Sequence, residues 1–511
     1  MTKNEAKSEE RPEVYAVKHE SADWQFSRRE FLAASSAAAV AALSAGCGPA
    51  GKMGKVCSNS RAHKTEIHQV AFSPDGSMLL SDEMTANASV KLWALPEGRL
   101  VKSLPAAITS YAYVFSPNGA YVAYYPKADE TIYLNAVLSE GDSIPLKGHT
   151  HYVDALSFCP DGSMLASAGF DETIRLWSLP GGELLKTIEV ECDIIQSLEI
   201  SPDSRLLAAK VDYKRILLYT LPQGDFLAAL EGHEEEIYPT RILFSPDMNI
   251  LATGSHDDTI KLWSLPDGEL LETLGGFEKM VYMGFTPDSK RLVAGNGAGM
   301  LRLYSLPDGA LVKTLVEDGF VAAFAISPDG RLLAANASGE GASSDWTMWS
   351  LPDGERLLDS DGDIDGGIKE ILFTPDGASL ITCGYSGDVL NVWSASTGKL
   401  LKTLDGRQDD ISAMALSADG SMLAAGDQDG SLQLWSLPEG ELAACMVDLR
   451  AMPPESEGIS VETTDEDGNT VNYDLPCGSP LPPGAVCTCN CVSGSSVCSC
   501  VGHSSHYWHP D

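Results

Sequence analysis

The stretch HYVDALSFCPDGSMLASAGFDETIRLWSLPGGELLKTI, residues 151–188, decides the fold. It consists of short apolar runs separated by turn chemistry. Val153 to Phe158 is followed by Pro160-Asp161-Gly162, and Met164 to Ala168 by Asp171. Ile174-Arg175-Leu176-Trp177 then gives way to Leu179-Pro180-Gly181-Gly182, after which Leu184-Leu185 opens a last run. Pro presets its own φ and Gly accepts a positive one, so these breaks read as tight turns. Four apolar runs of this length, bounded in this way, predict a four-stranded antiparallel meander.

The same unit recurs from Glu66 to about Leu449, roughly every 41 to 45 residues, a period that marks a propeller blade. An aromatic closes the third run of each copy: Trp93, Tyr133, Trp177, Tyr219, Trp263, Tyr304, Trp349, Trp393 and Trp435. These nine residues predict nine units, each burying its face against the next. A closed ring leaves only short edges, which lone four-stranded sheets cannot manage. The expected fold is therefore all-β, a single nine-bladed ring. Eight blades plus a displaced unit is the alternative, and the second unit, which lacks both Trp and the Leu-Pro-x-Gly turn, is the one to doubt.

The units resemble the WD-repeat family over about three-quarters of the chain. The resemblance implies a tetrad of His, Ser or Thr, Asp and Trp in each complete unit. Two units match in full, with His149, Ser167, Asp171 and Trp177, and with His233, Thr253, Asp257 and Trp263. Unit nine keeps only Asp429 and Trp435, units four and six place Tyr for Trp, and the rest are degenerate. A hydroxyl beside His and Asp is also the inventory of a hydrolase triad. Repetition at one architectural place favours struts that satisfy buried polar groups.

Charge narrows the partners. With 35 basic and 72 acidic residues the formal charge is -37. Such a field repels nucleic acid, whose binding requires clustered Lys and Arg, and it repels anionic lipid. Cations and basic protein patches are favoured. Glu234-Glu235-Glu236 and Asp409-Asp410 read either as an acidic rim for a basic protein or peptide, or as plain solubility. Asp361, Asp363 and Asp365 alternate before Gly366, which suits Ca²⁺, but Leu372 stands where a bidentate Glu would complete the loop. Otherwise they form a solvated loop. Gly295 to Gly299 is glycine-rich but precedes no helix that could hold phosphate, so it reads as a turn.

Three domains follow: residues 1–60, the propeller over 61–450, and a tail over 451–511. Residues 1–26 show no strand or helix pattern. Arg28-Arg29-Glu30-Phe31-Leu32 and the uncharged Ala-rich run to Gly46 resemble a bacterial twin-arginine export signal. The run is shorter than the roughly twenty residues of a spanning helix. Ser44-Ala45-Gly46-Cys47 resembles a lipobox with its Leu displaced to Leu43, so acylation of Cys47 and a lipid anchor stay open.

Six of the twelve cysteines lie from Cys477 to Cys500. Cysteines inside the repeats read as small buried hydrophobes. In the tail, residues 459–464 and 470–475 predict one hairpin. Cys477, Cys487, Cys489, Cys491, Cys498 and Cys500, with His503, His506 and His509, suit Zn²⁺ or Cu(I), although Cys-x-Cys departs from the usual zinc spacing. Disulfides and covalent modification are the rivals.

The function expected is an exported, non-catalytic scaffold in the periplasm or cell envelope that binds a protein. The alternatives are a propeller enzyme, such as a quinone-dependent dehydrogenase or a lactonase, and a metal-binding or redox protein that works through its tail.

Overall fold

The computed structural model describes residues 14–19, 22–27 and 61–448, apart from short loops at 84–88, 106–112, 127–129, 138–142, 278–280, 297–298, 318–320, 322, 337–345, 361–366, 385–389 and 405–409. It also gives the backbone of four tail strands. The chain divides into two compact units, residues 1–53 and 54–511.

The larger unit is a nine-bladed β-propeller, and no helix occurs among the described residues. Each blade is a four-stranded antiparallel sheet whose strands follow in chain order. In blade three they are Val153–Phe158, Met164–Gly169, Thr173–Ser178 and Leu184–Glu189. First strands of successive blades adjoin one another, so they line the centre of the ring and the fourth strands form its rim. The second unit, singled out above as doubtful, is an ordinary blade with strands from Tyr113 to Leu146.

Nine apolar clusters lie at the nine joints between blades. All nine anchoring aromatics sit on third strands and pack against the preceding blade. Trp177 meets Tyr125, Leu134 and Leu146 of blade two, and Trp93 meets Ala424 and Leu434 of blade nine. The second strands are the most buried, and Met164–Gly169 and Ile250–Ser255 are buried from end to end. Where it is present, the Leu-Pro-x-Gly turn is the outer latch of the joint. Gly182 has φ +69°, and a Cβ there would stand 2.6 Å from Leu146 of the previous blade. Only glycine meets both conditions.

The ring closes without exchanging a strand. The segment before blade one crosses to blade nine, where the Ala62 and His63 amides each donate to Gly430 O at 2.9 Å. The Asp448 amide donates to Arg61 O at 2.8 Å. A buried ion pair, Lys91 Nζ to Asp448 Oδ2 at 2.7 Å, lies at the same seam.

Three expectations are corrected. Residues 1–26 were expected to lack strands, yet Val14–His19 and Ala22–Ser27 pair as a hairpin. Val, Tyr, Trp and Phe supply strand propensity there despite the mixed charge. The tail holds more than one hairpin. Ile459–Thr464 pairs with Thr470–Leu475, and Cys487–Asn490 pairs with Val497–Cys500 and adjoins the first strand through Ser460 and Asn490. Among repeat cysteines, Cys159 and Cys383 are buried as expected, Cys192 is half-buried, and Cys445 is disulfide-bonded. Cys445 lies on the rim strand Glu441–Met446.

Candidate functional site

The two full tetrads assemble. In blade three, His149 Nδ1 lies 2.9 Å from Asp171 Oδ2, and His149 Nε2 lies 2.8 Å from Ser167 Oγ. The Trp177 indole N–H donates to Ser167 Oγ at 2.8 Å. In blade five, His233 reaches Asp257 and Thr253 at 2.8 Å each, and Trp263 donates to Thr253 at 2.9 Å. Blade one carries a third set that the sequence reading missed, with His63 Nε2 2.7 Å from Ser81 Oγ and Trp93 donating to Ser81 at 2.8 Å. Its signal was present. His63 precedes Ser81 by 18 residues, as His149 precedes Ser167. In blade nine, Asp429 lies 3.5 Å from the Arg61 guanidinium and accepts from Ser431, while Trp435 is buried.

Order and spacing mimic an Asp–His–Ser triad, but the hydroxyl is out of reach. Ser167 is 0% exposed, and its oxygen already accepts the Trp177 N–H. A nucleophile needs space for a carbonyl beside it, and this one is walled in by its own blade. Burial opposes ionisation of Asp171, yet the His149 contact and the Thr150 and Thr173 donors outweigh it and hold the carboxyl well below its ordinary value. A lowered carboxylate stabilises the fold above the unfolded-state pKa and loses that contribution as pH falls through the folded one. Asp171→Asn is therefore expected to lower stability by about 1–2 kcal/mol at pH 7, with the difference from wild type closing below about pH 4. Urea melts at both pH values check this.

Exposed aromatics mark one face of the ring. His151 and Tyr152 precede the first strand of blade three, and Phe170 lies in the turn after its second strand, whose amide donates to Tyr152 O. His151 stands 4.9 Å from Tyr152 and 5.8 Å from Phe170 between ring centroids. Tyr213 occupies the corresponding turn of blade four. Tyr152, Phe170 and Tyr213 are 43, 42 and 46% exposed, which is unusual for large rings at positions where turns favour Gly, Asn and Asp. Carboxylates border them. Glu234 and Glu235 are exposed on the next loop, while Glu236 accepts from the buried Lys210 ammonium at 3.1 Å. The acidic triplet is thus two free carboxylates and one structural ion pair. Asp410 is half-buried, and Asp409 lies outside the described residues.

Other predicted residues are placed only in part. Arg28, Arg29, Cys47, Asp361, Asp363, Asp365, Cys477, Cys491, His503, His506 and His509 lie outside the described residues. Asp359, which leads the acidic run, accepts from Thr347 and Arg356 at 2.9 and 2.7 Å. In the tail, backbone register sets Cys487 opposite Cys500 and Cys489 opposite Cys498. No cluster of metal-ligating side chains occurs among the described residues.

Comparison with known proteins agrees with this architecture. The model described as "WD domain, G-beta repeat" matches residues 54–94, 143–178, 224–264 and 398–436. Three of those spans end on the tryptophans bonded to Ser81, Ser167 or Thr253, or just after them. The chain is 33% identical over 148 residues to the nuclear distribution protein PAC1 of Gibberella zeae, covering 27% of this chain and 32% of that one. It is 40% identical over 70 residues to protein ROOT INITIATION DEFECTIVE 3 of Arabidopsis thaliana, covering 14% and 16%. It is 30% identical over 132 residues to small ribosomal subunit protein RACK1y of Oryza sativa subsp. japonica, covering 25% and 39%. In each case the matched part is well under half of the relative's length.

Proposed function

We propose that this WD-type propeller is a non-catalytic scaffold of the cell envelope, exported through a twin-arginine route, that binds a partner polypeptide on the face of blades three and four. The observation that carries the reading is the set of exposed rings, His151, Tyr152, Phe170 and Tyr213, beside Glu234 and Glu235. Aromatic anchors within a polar rim are the usual centre of a protein interface. The charge of -37 selects a basic partner. The tetrads offer no accessible nucleophile, and this supports binding over hydrolysis. The Cys445 disulfide fits an oxidising compartment, which supports export, as do Arg28 and Arg29.

Capture from native envelope extract tests the binding face. Tyr152→Ala combined with Phe170→Ser is expected to lower recovery of the partner at least about tenfold, the scale of one hot spot, with unchanged thermal stability. Equal recovery by the variant and the parent would refute the assigned face. Export is tested separately, since Arg28→Lys with Arg29→Lys should hold the protein in the cytoplasm. A stoichiometric quinone chromophore in the purified protein would favour the dehydrogenase instead. For the tail, opposed cysteines in a hairpin and an existing disulfide favour disulfides over metal. A gain of two hydrogen atoms per bridge on reduction, read by intact mass, is the expected result.

A further inference from the structure

The first strand of blade seven, Phe324–Ile326, is three residues long, against six in blade eight, Ile368–Phe373. A cavity of about 340 Å³ opens there on the inner wall of the ring, lined by Tyr282, Met283, Phe324, Lys369, Glu370 and Leu372. It is separate from the aromatic face of blades three and four.

The local backbone decides which charge enters it. The pairing of blade eight shifts register between Ile368 and Glu370, leaving Lys369 as the bulged residue. A bulge re-aims its side chain. The Lys369 ammonium reaches across to blade nine and donates to Ile411 O and Ser412 O at 3.0 Å each. Its charge is thereby committed to the next joint. Glu370 is left on the cavity wall, and its carboxylate accepts no hydrogen bond among the described residues. Burial pushes that carboxyl up to about 7, against the opposing influence of Lys369.

A half-buried carboxylate without a donor is costly, and a ligand that supplies a positive donor removes the cost. An anion would be repelled, and a neutral apolar ligand would leave the carboxylate unpaired. Tyr282 and Phe324 bring aromatic rings to the lining, and Met283 a polarizable side chain, and aromatic rings attract cations. The volume is at the low end for a ligand pocket, so it suits one slim group. We propose that this cavity binds an organic cation, a guanidinium or alkylammonium on a narrow apolar stem, with Glu370 as counter-ion and Tyr282 and Phe324 flanking it.

Glu199 provides the control. Burial pushes its carboxyl up to about 7 as well, on the first strand of blade four, but it is not part of this cavity's lining. Calorimetric titration of the full-length protein at pH 8 with butylguanidinium, butylammonium and the neutral alcohol pentanol tests the proposal. Saturable one-to-one binding of at least one cation is expected, with pentanol inert. Glu370→Gln should weaken it about tenfold or more, Phe324→Ala several-fold, and Glu199→Gln not at all. Circular dichroism confirms that each variant is folded. Equal binding by Glu370→Gln, equal weakening by Glu199→Gln, or no saturation with either cation overturns the proposal. N-acetylarginine methylamide identifies the source, because binding of both it and butylguanidinium assigns a polypeptide side chain. Binding of the free cations alone assigns a small molecule.

Discussion

Trp177→Ala is expected to destabilise the propeller by about 3–5 kcal/mol, the range for deleting a buried Trp. The ring is 1% exposed, and it fills the joint between blades two and three against Tyr125, Leu146 and Leu165. Deletion removes that packing and leaves a cavity that the flanking strands cannot close, because each is held by its own ladder. It also strips the indole donor from Ser167, although the hydroxyl retains His149 as a partner. Trp177→Phe separates the two losses. It keeps most of the packing and gives up only the hydrogen bond, for about 1 kcal/mol. Blade four shows how a joint works without the tetrad, since Tyr219 pairs there with Leu207, and Ala209, opposite Leu217, stands where blade three has Ser167 opposite Arg175, so no hydroxyl awaits a donor. Urea unfolding followed by far-ultraviolet circular dichroism measures both variants. A Trp177→Ala protein of unchanged midpoint that no longer captures its partner would mark the tetrad as a site rather than a strut.

The count of blades was legible because each anchoring aromatic recurs at one place in a unit that cannot bury its faces alone. The blade-one set of His63, Ser81 and Trp93 was hidden by spacing. Trp93 follows Ser81 by 12 residues, whereas Trp177 follows Ser167 by 10, since the turn between the strands is longer in blade one. That insertion breaks the pattern without moving the side chains. In the tail, Cys487 with Cys489 and Cys498 with Cys500 have the two-residue period of a strand as well as the density of a ligand set, and the spacing alone does not separate the two. Glu370 could not have been found from sequence. That the Lys369 ammonium is drawn to blade nine while Glu370 stays on the cavity wall depends on a one-residue register shift, and such a shift exchanges the two faces of a strand. The exposed rings of blades three and four belong to the same class. Their positions are turns, and only the assembled ring shows that Tyr152 and Phe170 share a face with Tyr213.

Ring closure gives the other large effect. Each blade is made from one continuous stretch of chain, so the seam between blades nine and one has no shared strand to hold it. Its polar core is Lys91, 4% exposed, with Asp448, 6% exposed, 2.7 Å apart. The Lys91 ammonium also donates to Ala62 O, which fixes the segment that bridges to Gly430. Gly430 has φ +90°, and a Cβ there would lie 2.3 Å from His63 O, so the two chains meet backbone to backbone. Burial and the Lys91 charge push His63 down to about 3, which keeps the imidazole neutral beside the pair. Lys91→Met leaves the Asp448 carboxylate buried without its counter-charge, and breaking such a pair from one side costs about 3–5 kcal/mol. The double variant Lys91→Met with Asp448→Leu removes both charges and should recover most of the loss, because an apolar pair of similar volume carries no desolvation penalty. A double-mutant cycle in urea measures the coupling. Limited proteolysis locates it, since an opened seam exposes the chain near residue 61 and residue 448 before any interior joint. A single variant that loses less than about 1 kcal/mol would mean that water reaches Asp448. The seam would then rest on the apolar joint of Trp93, Ala424 and Leu434 and on the backbone bonds to Gly430 and Arg61.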